Sequence, residues 1–171
     1  MKVQDLLKEL KEKPEYKEFK IKNPNTYFSA AFLILNLENR TEQIQLDFYL
    51  PKQNKIAAFE FPFQKPKIHD DIISVQQGKT TPAKIEPMEK QTTSIKIDID
   101  NLESISNKII KENNSAIKPT KIIAILKDNT WNLTCMDNML GIVRIKINAI
   151  SGKSQNFDKG SLMNFMGIKK K

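Results

Sequence analysis

The chain has 171 residues, 39% of them apolar, enough to build a packed core and too many for a disordered segment. Its net charge of +8 is concentrated at one end: residues 153–171 hold five lysines against Asp158, and the rest is close to neutral, which argues against a dedicated duplex-binding surface. The single cysteine, Cys135, excludes an internal disulfide framework, and the longest apolar run, Ala30–Leu35, is too short to cross a bilayer. The opening Met1–Lys8 alternates charge with leucine, so neither a signal peptide nor an anchor is expected there, and the expected setting is cytoplasmic.

Val3, Leu6, Leu7 and Leu10 recur at helical spacing and predict a lysine-rich amphipathic helix from Val3 to about Lys13. Pro14 fits the first position of a further short helical turn carrying Tyr16 and Phe19, and Pro24 ends it. Tyr27–Leu37 reads as a central strand, because Ala30–Leu35 is apolar at every position where an exposed sheet face would alternate. Gln43–Leu50 alternates cleanly and reads as a half-buried strand. Ile56–Phe63 returns antiparallel to it, with Phe59, Phe61 and Phe63 expected on one face.

Residues 64–94 read as a linker, with Pro66, Pro82 and Pro87 and the polar run Gln76–Thr81; Asp71–Val75 is expected to add one short strand. Ser94–Ile99 suggests a strand or extended entry. Asp100, with Glu103 three residues on, is expected to cap a helix running to about Asn113 with Leu102, Ile105, Ile109 and Ile110 on its apolar face. Three more strands follow: Lys121–Lys127, Trp131–Met136 and Ile142–Ala149.

The helix, Pro119, the strand opened by Trp131, and Val143-Arg144-Ile145-Lys146-Ile147-Asn148-Ala149 before Ser151-Gly152-Lys153 resemble PepSY-type domains over about residues 95–153. Asn148 and Ser151 stand where that family commonly has aspartate and threonine. The resemblance implies small cystatin-like helix-on-meander modules without catalytic residues, which in some relatives act on peptidases as propeptides or inhibitors. Residues 1–63 share the layout. The expected fold class is therefore α+β: two tandem helix-plus-antiparallel-meander modules packed together, at 1–63 and 95–152. A linker at 64–94 joins them, and a basic C-terminal tail follows at 153–171.

Residues that could carry chemistry are few. His69 beside Asp70 and Asp71 offers metal-ligand types, but a solvated loop is the expected reading and no metal is called for. Cys135 lies far in sequence from His69 and reads as a small buried hydrophobe. Trp131 reads as core rather than a stacking platform, and Asp98 with Asp100 as a helix start rather than a carboxylate pair. The expectation is no catalytic residue, no enzyme and no cofactor.

The tail is the exception. Leu162, Phe165 and Met166 share one face of a helical turn, ahead of Lys169, Lys170 and Lys171. This resembles the short peptides that dock on DNA sliding clamps, with Lys159 at the place of their usual glutamine. The expected function is a non-catalytic cytoplasmic module that binds a protein or peptide. Two alternatives stand beside it: a replication or repair accessory held on a sliding clamp by the tail, and a peptidase-regulating domain implied by the PepSY resemblance. Three terminal lysines alone bind nucleic acid or anionic membrane weakly, so neither is expected to dominate.

Overall fold

The computed structural model describes residues 1–69, 71–76, 79–84 and 87–161; for 71–76, 79–84 and 161 it describes the backbone. The described elements are helices α1 (Val3–Glu12), α2 (Pro14–Lys22) and α3 (Leu102–Glu112). The strands are β1 (Tyr27–Asn36), β2 (Thr41–Leu50), β3 (Lys55–Glu60), β4 (Lys67–His69), β5 (Asp71–Gln76), β6 (Lys79–Lys84), β7 (Lys121–Lys127), β8 (Thr130–Met136), β9 (Gly141–Asn148) and β10 (Ser154–Ser161). The fold is α+β, built on one eight-stranded antiparallel sheet in the order β10-β9-β8-β7-β1-β2-β3-β4, with β5 and β6 pairing separately.

The sheet is joined at its centre by β1 and β7, which run antiparallel from Ala30↔Lys127 to Asn36↔Lys121. This ladder accounts for the unbroken apolar run in β1, a strand with neighbours on both edges and neither face fully open. A bulge at Ser29 sets its side-chain pattern, because the pairing with β2 steps from Phe28↔Phe48 to Ala30↔Asp47. The extra residue lets Phe28 share the helix-facing side with Ala31, Leu33 and Leu35, which strict alternation would forbid.

All three helices lie on that side. Leu6, Leu10, Tyr16, Phe19, Leu102, Ile109 and Ile110 pack with Leu33, Ile44, Leu46, Phe59, Ala124, Leu133 and Ile145 in one continuous core spanning the whole sheet. Tyr16 and Phe19 meet Phe48 and Phe59 with ring centroids 5.2–5.6 Å apart.

Several expectations are corrected. Asp98, not Asp100, is the cap: its Oδ1 accepts from the Ile99 N–H at 2.8 Å, and Asn101 Oδ1 accepts in return from the Asp98 N–H at 3.1 Å. The same Oδ1 accepts from the Val3 N–H at 2.9 Å, so one buried carboxylate holds the first turn of α1 as well. Asp100 lies exposed in the single 3-10 turn before α3, and Ser94–Ile99 forms no strand. Phe63 is buried but Phe61 is 42% exposed, since β3 ends at Glu60 before the cis Phe61-Pro62 bond. The linker contains three strands rather than one; Pro82 is tolerated in β6 because both members of a two-stranded pair are edges.

The first part of the expected basic tail is instead β10, which pairs along β9 from Ser154↔Ile147 to Ser161↔Gly141. Its side chains are polar, but strand pairing needs only backbone, and Phe157 opposite Ile145 packs against the core. The turn into it is fixed by Asn148, whose Oδ1 accepts from the N–H groups of Ile150 (3.1 Å) and Ser151 (2.8 Å). Gly152 follows at φ +77°, a left-handed position that suits glycine.

Candidate functional site

With every helix on one side, the other side of the sheet is the candidate surface. Alternation decides which side chains reach it. At the central seam, register sets Phe32 opposite Ile125 and Ile34 opposite Ile123, a two-by-two apolar patch. Phe32, Ile34 and Ile123 are half-buried and Ile125 is 39% exposed. Toward β10 the rows continue as Ile125↔Asn132↔Lys146 and Ile123↔Thr134↔Arg144, and β7 places Lys121 and Lys127 at the two ends of the patch. Toward β4 they continue into Gln43, Gln45 and Glu60.

Asp47 sits on this side of β2 between the small residues Ala30 and Ala58. Burial pushes its carboxyl above the usual aspartate range, opposed by the hydrogen bond that Gln45 Nε2 donates to it at 2.8 Å and by nearby His69. Removing a charged oxygen from water disfavours ionisation, and the amide returns only part of that solvation.

The residues singled out from sequence are dispersed. His69 is exposed on β4; the Asp70 and Asp71 side chains lie outside the described residues, and among described residues no His/Cys/Asp/Glu group could hold a metal ion. Cys135 is fully buried against α3, and burial pushes its thiol up to about 12 despite a hydrogen bond with Ser106. Trp131 is also fully buried, its ring N–H donating to the Ile97 carbonyl at 2.8 Å, which pins the crossing segment 87–98 to the core. A recess of about 580 Å³ at the end of α3 has Lys111 and Lys118 as its only charged lining residues and so offers no acid–base pair. Leu162, Phe165, Met166, Lys169, Lys170 and Lys171 lie outside the described residues. Sequence reading missed the open-face patch because its signal is the pairing of strands about 90 positions apart, and no local periodicity records that.

Among described residues, no helix is long and apolar enough to cross a membrane. No protein-family model matches the chain, and no curated protein matches it. Among solved structures, the chain is similar to a candidate lipoprotein from Clostridium difficile 630, with a TM-score of 0.48 and 13% identity over 85% of this chain and 90% of that one.

Proposed function

We propose that this chain is a non-catalytic module that holds a protein or peptide partner against the sheet face opposite its helices. The observation that carries this reading is the patch of Phe32, Ile34, Ile123 and Ile125, left partly open to water at the centre of the eight-stranded sheet. A surface apolar cluster rimmed by polar groups is the usual anatomy of a contact site. We read the fold as two helix-plus-meander units, 1–63 and 95–152, meeting at β1 and β7. The order of a helix followed by antiparallel neighbours in each half supports that, and it is the layout the PepSY resemblance implies. The single free thiol, Cys135, supports a cytoplasmic setting.

The test is affinity capture from the source lysate with three forms: the full chain, a chain ending at Ser161, and Ile123→Thr with Ile125→Thr. The double substitution keeps β-branched shape and removes apolar contact without changing charge. We expect it to abolish capture and the shortened chain to retain it. Loss on shortening alone would sink the face reading in favour of clamp docking through Leu162, Phe165 and Met166. If the captured partner is a peptidase, an inhibition assay on it tests the regulatory reading.

A further inference from the structure

We infer that the partner presents an acidic segment, seated over β7–β9 beside the apolar patch; this rests on the open-face reading and specifies its occupant. The argument is charge complementarity. Lys121 and Lys127 on β7 and Arg144 and Lys146 on β9 all belong to the open face, and all four are exposed. They bracket Ile123, Ile125, Asn132 and Thr134. No carboxylate shares that face of β7, β8 or β9. Asp128 and Asp137 of this stretch fall in hairpin turns, where Asp137 Oδ1 accepts from the Met139 and Gly141 N–H groups at 2.9 and 2.8 Å. Among the described residues, Asp158 on β10, opposite Arg144, is the one acid at the rim of β7–β9.

What sets this face apart is the absence of carboxylates beside its cations on β7–β9, since lysines on the helical layer lie among acids, some of them paired, as in Lys13–Glu9, Lys17–Glu12 and Lys22–Glu18. On β4, Lys67 meets Glu60 at 2.7 Å. Lys121, Lys127 and Lys146 form no ion pair with a described residue, so this face concentrates positive potential over an apolar floor. Such a surface steers and orients a negative partner.

Strand spacing puts β7 and β9 about 10 Å apart, and Lys121 to Lys127 spans roughly 20 Å. That footprint suits a single segment whose carboxylates meet the flanking cations while an apolar side chain rests on Ile123 and Ile125. A nucleic-acid strand fits less well. The patch offers one aromatic ring, the half-buried Phe32 on β1, too few to stack successive bases, and a longer polyanion would run onto Glu60 and Asp47.

The test uses the full chain and a fluorescent peptide alternating glutamate and leucine, with a labelled oligothymidylate of equal charge as the comparison. Anisotropy should show peptide binding that weakens with salt. Lys127→Glu with Lys146→Glu should weaken it roughly tenfold, whereas Lys8→Glu with Lys52→Glu, the same charge change elsewhere, should not. The inference is overturned if the peptide does not bind, if both double variants weaken it equally, or if the oligothymidylate binds more tightly. Lysate capture separates the two readings. A partner lost with Ile123→Thr/Ile125→Thr but kept with Lys127→Glu/Lys146→Glu leaves the open face standing and removes the acidic segment.

Discussion

At the residue scale, Asp98 carries an unusual share of the architecture. Its carboxylate accepts the N–H of Ile99 beside it and that of Val3, 95 positions away in sequence, so it holds two helical starts, and it is buried while doing so. Replacing it by alanine leaves the Val3 and Ile99 donors without their acceptor in a place water reaches poorly. Asp98→Ala is expected to cost about 2–4 kcal/mol in denaturant unfolding, with Asp98→Asn losing less because one acceptor oxygen remains. Cys135 gives a pH signature. Its folded thiol titrates near 12 against an ordinary value of 9.0, so the folded state retains a proton that the unfolded chain releases first. That contribution is fully present below pH 9 and lost as pH rises through the window toward 12. Wild type should therefore lose more stability than Cys135→Ala above pH 9. Thiol reagents should label Cys135 only after denaturation. The burial of Cys135 and Trp131 was readable from alternation along their strand. The identity of the cap was not: Asp98 and Asp100 both have a polar residue three positions on, and what selects Asp98 is the arrival of Val3 from the other end of the chain.

At the scale of elements, the strongly periodic pieces were the legible ones. The leucines of α1, the isoleucines of α3 and the alternation of β2, β8 and β9 fixed those elements to within a residue or two. Two kinds of element escaped. Short strands such as β4 depend on a neighbour's backbone, here Ile56↔His69 to Ala58↔Lys67, and carry little apolar signal of their own. The edge strand β10 was hidden for the same reason, Phe157 being its one core-directed side chain. The open face was illegible for a related cause: Lys127, Arg144 and Lys146 look like ordinary solvated charges until register aligns them on one side of adjacent strands. An edge that ends in polar and charged residues such as Asn156, Asp158 and Lys159 also discourages further strand pairing.

At the scale of the whole molecule, the β1–β7 ladder decides how the chain responds to stress. The buried side chains form one cluster from Val3 to Ala149, and ties cross between the halves away from the ladder as well. Arg40 meets Glu103 at 2.8 Å and Asn138 Nδ2 donates to Glu38 at 2.7 Å. Unfolding followed by Trp131 fluorescence, which reports on β8, should therefore coincide with unfolding followed by far-ultraviolet circular dichroism, in a single transition. Two separated transitions would mean that 1–63 and 95–152 melt independently. The same ladder has a consequence for biosynthesis. Translation at roughly 5–20 residues per second leaves β1 waiting on the order of ten seconds between its own emergence and that of Lys121–Lys127. Throughout that interval a greasy strand carries an unclaimed row of amides. The nascent chain is at its stickiest in that interval, and a holding chaperone would have its clearest target at Ala30–Leu35.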